Sequence, residues 1–200
     1  RGQWREAFYI LGLVGLLYAI PYHLCLKRTA GLVYAETRNS GSLLAIVELV
    51  KIPSYLLLGV VFALHSFGLW LLYAWLPTFL REKFSLGLAD AALAATIYLQ
   101  GATLLGMIGG GWIADRLYPR WHSIRFWVIG LGLIFCAPCY HLLGSIDSLL
   151  YTKLDAIVLG LGTGVVMANI FPAGFEVVPA DTRASSFGFL NLFSAIGAVL

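Results

Sequence analysis

Asp115 and Arg116, followed by Arg120 and Arg125, form a compact charge cluster where a long apolar run ends in Gly109-Gly110-Gly111-Trp112-Ile113-Ala114. With Arg125 adding a further cation to the loop, the Asp115 carboxylate beside Arg116 and Arg120 does one kind of chemistry well. It makes charge-assisted hydrogen bonds, strong when shielded and nearly worthless in open water. Glu176 and Arg183, flanking Pro179 in a later polar stretch, have the right types to join the same network. Glycine-rich helix ends let another helix approach closely, so the cluster sits where helices can be held together or released.

A second set of polar residues lies inside the apolar runs themselves. At about 100 degrees per residue, Phe62, His65, Ser66 and Tyr73 fall within a sector of about 100 degrees on one helix. An imidazole in such a stripe can bond a solute or carry a proton, because free imidazole titrates near neutral pH. A hydrogen bond to a neighbouring helix explains it as well. Thr96, Gln100 and Thr103 are spaced i, i+4, i+7 on a second run, either lining a watery path or bonding a partner helix. Asn169 and Asn191 are further amides within apolar runs, open to the same two readings. Gly106 with Gly110, and Gly160, Gly162 and Gly164, mark smooth faces for close helix packing.

The elements that must position these groups are long and greasy. In 200 residues, 60% are hydrophobic and only 12% charged, with mean hydropathy +0.86, which excludes an ordinary soluble domain. Six windows are long enough to cross a bilayer: Phe8 to Leu26, Pro53 to Leu76, Ala91 to Ile113, Phe126 to Leu143, Leu154 to Phe171, and Phe187 to Leu200. None carries an ionisable carboxylate, lysine or arginine near its middle, where each costs about 2.5–3.5 kcal/mol. The expected fold is therefore an all-α polytopic membrane bundle of about six spans. Between the first two windows, residues 27–52 form the longest connection, with Asn39-Ser40-Gly41-Ser42 as a turn. The following Leu43, Leu44, Ile46, Val47, Glu48, Val50 and Lys51 read either as a short interfacial helix or as an extension of the next span.

Basic residues in alternate connections set the orientation. One side holds Lys27, Arg28, Arg38, Lys51, Arg116, Arg120, Arg125 and Arg183; the other holds Arg1, Arg5, Arg81, Lys83 and Lys153. The richer side is expected to be cytoplasmic, with loops 27–52, 114–125 and 173–186 inside. The net charge of +3 is too small and too dispersed for a nucleic-acid partner.

Catalytic patterns are missing. There is no His-Glu-x-x-His, no phosphate-binding Gly-x-x-x-x-Gly-Lys, and the four histidines His23, His65, His122 and His141 are scattered, so no enzyme, metal or cofactor is expected. Cys136-Ala-Pro-Cys139 has redox spacing but lies inside an apolar run, so both thiols are expected to be packed. The chain starts at Arg1 and stops at Leu200 within an apolar run, and is expected to be a piece of a longer protein.

Gly111, Ile113, Ala114, Asp115, Arg116 and Arg120 resemble the signature loop of the major facilitator superfamily, Gly-x-Leu-Ala-Asp-Arg-x-Gly-Arg-Lys. Tyr118 stands where that loop has its second glycine and Pro119 follows, so the turn must differ. Trp4-Arg5-x-Ala7-Phe8-Tyr9-Ile10-x-Gly12 resembles the approach to the family's sixth span. Trp75-Leu76-Pro77-Thr78-Phe79-Leu80 resembles the outer end of its seventh. Glu176-Val177-Val178-Pro179 with Arg183 and Gly188 resembles the connection of its tenth to its eleventh.

The resemblance implies that residues 1–26 are the last span of an N-terminal bundle, 27–52 the linker between bundles, and 53–200 an incomplete C-terminal bundle. It further implies a secondary active transporter in a plasma or inner membrane, working by alternating access on a small polar solute such as a sugar, organic acid or anion-like metabolite. A coupling ion, with a proton as one candidate, the lipid bilayer and a monomeric intact protein complete the implied partners. The cavity would be lined by His65, Phe62, Ser66, Tyr73, Thr96, Gln100, Thr103, Asn169 and Asn191. The gate would use Gly111, Asp115, Arg116, Arg120, Glu176 and Arg183, with Arg183 pairing Asp115. A membrane scaffold subunit whose polar stripes only pack helices is the alternative.

Overall fold

A computed structural model describes residues 3–29 and 42–199, and all its regular structure there is helical. Residues 30–41, which hold the centre of the expected 27–52 connection and most of its turn, lie outside the described residues, as does Leu200. The chain divides into two compact units, Arg1–Asn39 and Ser40–Leu200. In the first, helix α1 runs from Gln3 to Thr29 through Pro21, and Tyr18 stacks on Tyr22 one turn later at 6.2 Å. Its apolar stretch, Phe8–Leu24, matches the first expected window.

The second unit holds α2 (Ser42–Val50), α3 (Pro53–Phe84), α4 (Leu88–Leu117), α5 (Ile124–Ser145), α6 (Leu149–Val177), a 3-10 turn (Ala180–Thr182) and α7 (Arg183–Val199). Of these, α3 to α6 are each long and apolar enough to span a membrane. The breaks follow local chemistry. Pro53 opens α3, where its missing N–H costs nothing, and Ser85 closes it in the left-handed conformation at φ 51°. Gly87 precedes α4, and Pro179 stops α6 from running into α7.

The helices overrun their windows. α3 continues past Leu76 through Pro77 to Phe84, which a long membrane helix tolerates when neighbours satisfy the freed carbonyl. Likewise, much of the expected loops 114–125 and 173–186 is helical: α4 reaches Leu117, α5 begins at Ile124, and α6 holds through Val177. Of the two readings for residues 43–51, the structure has a separate helix, α2, with Ala45 and Leu49 buried against α3 and α7 and with Val47 and Glu48 exposed.

α6 is the central rod, packed most extensively on α4 and then on α5. The α4–α6 seam is reciprocal. A side chain on Gly106 or Gly110 of α4 would strike the backbone of Leu161 or Val165, and one on Gly160 or Gly164 of α6 would strike the carbonyl of Leu99 or Thr103. On the other flank, a Cβ at Gly132 of α5 would come within 2.9 Å of the Gly162 carbonyl. In lipid such contact surfaces take the place of a hydrophobic driving force. α3 and α7 pair similarly, with Gly197 against Ala63 and the Ser66 and Ser194 hydroxyls 2.8 Å apart.

Gly164→Ala is expected to separate α4 from α6 and destabilise the purified protein by about 1–3 kcal/mol, the usual scale for overpacking. Gly130→Ala, on a glycine with no heavy atom within 4 Å of the added methyl, should leave the melting temperature in detergent unchanged.

Candidate functional site

The charge cluster read from the sequence closes around a residue counted there only as a loop cation. Tyr118, in place of glycine, is right-handed helical at φ −51°, ψ −42°, and its N–H continues α4 by bonding Ala114. Arg120 and Trp121 N–H then fold back on the Leu117 carbonyl at 3.0 Å, and Ile124 N–H bonds Trp121. The turn is thus tight without the second glycine. It delivers Arg125 in the first turn of α5 facing the ends of α4 and α6.

Arg125 binds three acceptors. Its Nε donates to Glu176 Oε1 at 2.7 Å, Nη2 to Asp115 Oδ1 at 2.7 Å, and Nη1 to Asn169 Oδ1 at 3.3 Å. The guanidinium also lies over the Tyr118 ring at 5.4 Å. Asn169 is held in register by its own Nδ2–H, which bonds Val165 O at 2.9 Å. The Arg125 and Glu176 side chains are 14% and 20% exposed, whereas Asp115 is 69% exposed. The Arg125–Glu176 pair is therefore the shielded half of the junction and Asp115 its wet, easily exchanged half.

The other gate candidates lie outside this junction. Arg116 lies over the Trp112 ring at 5.6 Å. Arg120 and Arg183 are exposed and make no ion pair among the described residues. Arg183 gives way to Arg125 as the partner of Asp115, because it opens α7 whereas Arg125 leads α5 directly over the end of α4. Gly111 passes Ala168 of α6, with 3.8 Å between an added Cβ and the Ala168 methyl.

The cavity candidates divide by surface. Phe62, His65 and Ser66 are buried in the bundle: Phe62 meets the Phe171 ring edge-on at 5.5 Å, Ser66 bonds Ser194, and His65 is 5% exposed with Nε2 unpartnered. Tyr73 is half-buried and meets Trp70 edge-on. Thr96 and Gln100 are exposed on the outer face of α4, so the two stripes do not share one surface. Thr103 bonds back to Leu99 O at 2.8 Å, and the exposed Asn191 bonds back to Phe187 O at 2.8 Å. Asn169 belongs to the Arg125 junction.

A cavity of about 460 Å³ runs between α3 and α5 and is apolar, lined by Leu57, Leu58, Val61, Phe126, Ile129 and Leu133 among others; none of the candidates borders it. Among the described residues no three histidine, cysteine or acidic side chains converge as metal ligands. Cys136 and Cys139 are free and buried, with Cys136 Sγ 3.7 Å from Leu159 O. Besides Arg125, sequence reasoning missed Asp155, which is 7% exposed in the second turn of α6. Its only signal was an acidic residue at the margin of an apolar window.

The profile of the Major Facilitator Superfamily matches residues 1–200. The chain is 25% identical over 184 residues to a protein of Cupriavidus necator named as a probable sulfoacetate transporter, covering 82% of this chain and 42% of that one. It is 28% identical over 143 residues to a probable nitrate/nitrite antiporter of Thermus thermophilus, 63% of this chain and 31% of that one. A relative from Mus musculus, named as an MFS-type transporter, is 29% identical over 195 residues, 95% and 38% of the two chains. The chain thus spans less than half the length of these curated relatives. No solved structure matches it.

Arg125→Ala is expected to strand Glu176 without its cation and to cost up to about 3–5 kcal/mol, the scale for breaking a shielded pair. Arg183→Ala should cost under about 0.5 kcal/mol, as an exposed surface change. Thermal melts of the two purified variants check the ranking, and equal losses would contradict it.

Proposed function

The chain belongs to the Major Facilitator Superfamily, and on that footing we propose that the intact protein is a secondary active transporter of a small polar solute. Residues 1–26 act as the last span of one bundle, 27–52 as the linker, and 53–200 as part of the second bundle. The bundles rock about a site near the midplane and open to each face in turn. An anionic metabolite is the favoured solute class, supported by the sulfoacetate and nitrate/nitrite named for two relatives. A sugar is the other member of the class. Transport is coupled to an ion gradient, with a proton as the ion and His65 as a carrier. Thr96, Gln100 and Asn191, on exposed faces of α4 and α7, are available to the solute path.

The observation that carries the reading is the Arg125 junction. It ties the ends of α4, α5 and α6 through one guanidinium, and its Asp115 arm is exposed enough to be exchanged without dismantling the shielded Arg125–Glu176 pair. In the proposed cycle this end faces the cytoplasm. Asp115, with Arg116, Arg120 and Arg183 around it, closes against the other bundle and releases when the inside opens. The Gly111 surface lets α4 stay close to α6 throughout. A scaffold role is the second reading, favoured by the fact that Ser66, Thr103 and Asn191 all spend their hydrogen bonds within the bundle.

Uptake and counterflow in proteoliposomes of the intact protein separate the two, using labelled sulfoacetate, nitrate and a sugar panel with and without a pH gradient. A transporter exchanges at least one solute, and a scaffold exchanges none. Asp115→Asn is expected to slow uptake about tenfold, equivalent to about 1.4 kcal/mol on the limiting step, with normal membrane insertion; unchanged kinetics would remove Asp115 from the gate. His65→Gln should flatten the pH dependence of uptake while solute exchange persists, and a retained pH profile would rule His65 out as the carrier.

A further inference from the structure

Toward the end of the bundle away from Arg125, three shielded polar atoms have no hydrogen-bond partner among the described residues: Asp155 Oδ2 on α6, Tyr140 Oη on α5 and His65 Nε2 on α3. Tyr140 faces α3, and Asp155 faces α5 from α6. The Tyr140 hydroxyl crosses to α3 at Gly68, where an added Cβ would meet it at 3.0 Å, and Gly68 is one turn from His65 on the same face. Cys139, next to Tyr140, faces the Asp155 carboxyl across the α5–α6 contact without a hydrogen bond between them among the described residues. One turn away, Cys136 Sγ is 3.8 Å from Thr163 Oγ1, so α5 presents thiol, phenol and thiol toward α6 and α3.

A carboxyl at 7% exposure with a bare oxygen needs a cation or a proton. The nearby lysines are engaged elsewhere. Lys153, two residues before it, lies over the Tyr98 ring of α4 at 5.2 Å, and Lys83 of α3 pairs with Asp147 at 3.2 Å and donates to Gly144 O. The ionisable group that reaches Asp155 is Cys139 of α5; Cys136 and Tyr140 of α5 and Tyr73 of α3 lie beyond it, within electrostatic range of one another, His65 is further along α3, and Tyr98 of α4 lines a nearby crevice with Asp90 and Lys153. α7 offers none, since its one charged residue, Arg183, opens the helix at the opposite end. A hard metal cation wants a shell of oxygen ligands. Thiol, phenol and imidazole are instead groups that exchange protons.

We propose that Asp155 is the binding site of the coupling proton, loaded and unloaded on the side of α6 that faces Cys139. The step is a proton transfer alone. A proton adds to Oδ2 and gives the neutral acid, which sits without strain in the closed seam; when α5 and α6 part to water, the proton leaves and the carboxylate is hydrated. No other bond changes. The coupling role rests on the transporter reading above, whereas protonation of Asp155 does not.

Difference infrared spectra of the purified intact protein across a pH series test the binding step, because a buried carboxylic acid has its own carbonyl band. Asp155→Asn is expected to remove one titrating band, and Asp147→Asn, on a side chain 94% exposed, to leave it. Identical spectra for the parent and Asp155→Asn, or no titrating band in either, overturn the proposal. If Asp155→Asn does not fold, Asp155→Glu should shift the band, and an unshifted band overturns it equally. For coupling, proton influx is followed with a vesicle-trapped pH dye during uptake of sulfoacetate, nitrate or a sugar. Asp155→Asn should lower influx tenfold or more while counterflow persists, and undiminished influx overturns the coupling role. A parent whose band titrates but which moves no solute overturns the transporter reading and the coupling role together, and leaves Asp155 as a buried protonation site.

Discussion

One guanidinium holds together three helix ends whose own fields disfavour the charges they carry. Asp115 sits in the last turn of α4 and Glu176 at the last turn of α6, where the helix dipole repels carboxylates; Arg125 sits in the first turn of α5, where it repels a cation. Each charge is misplaced by itself. Brought within 2.7 Å, the guanidinium offsets part of the repulsion each carboxylate meets at its own helix end, and the carboxylates offset the repulsion the guanidinium meets at its own. The arrangement is conditional: it is stable only while α4, α5 and α6 keep their ends in register, and any movement of one end returns the others to an unfavourable field. Two carboxylates on one guanidinium also leave the junction with a net negative charge, which is suited to meeting a basic or dipolar surface.

Register of that kind has to be imposed from elsewhere, and the glycine seams impose it. Gly106 and Gly110 of α4 and Gly160 and Gly164 of α6 bring two backbones into direct contact, and Gly132 with Gly162 does the same for α5 on α6. Backbones that touch cannot slide by a residue without a clash, so the seams fix the height of Asp115, Asn169 and Glu176 relative to Arg125. They do so without interlocking large side chains, which leaves small rotations inexpensive. The Arg125 junction therefore depends on residues that carry no functional group.

How far this could be read beforehand varies with the physics involved. The spans were legible because insertion depends on summed hydropathy, and the glycine faces because spacing alone puts them on one side of a helix. Their ends were less so: α3 through Pro77, and α4, α5 and α6 into the expected loops, because hydropathy falls before backbone hydrogen bonding stops. Asp115 and Glu176 were legible as members of one charge network, with Arg183 expected as the partner of Asp115. Arg125 was not singled out, because its place over the end of α4 depends on how the Tyr118–Pro119 turn closes before α5 starts. The Phe62, His65, Ser66 and Tyr73 stripe was legible as a face; whether that face met a cavity or other helices depended on α7, through Ser194, and on Phe171 of α6.

Asp155 illustrates the remaining difficulty and also ties the two ends of the molecule together. A carboxylate at the margin of an apolar window is ordinarily a wet helix end; here Asp155 is buried with Cys139 of α5 facing it, a tertiary fact that no local pattern encodes. Asp155 and Asn169 lie on the same rod, 14 residues or about 21 Å apart along α6, with Glu176 two turns further. Between the two sites α6 is in backbone contact with α4 on one flank and α5 on the other. A change that loosens α5 from α6 around Asp155 therefore acts on the same helix pair whose other end Arg125 bridges. Charge state at one end and pairing at the other are linked through the position of one helix, without a chain of polar side chains between them.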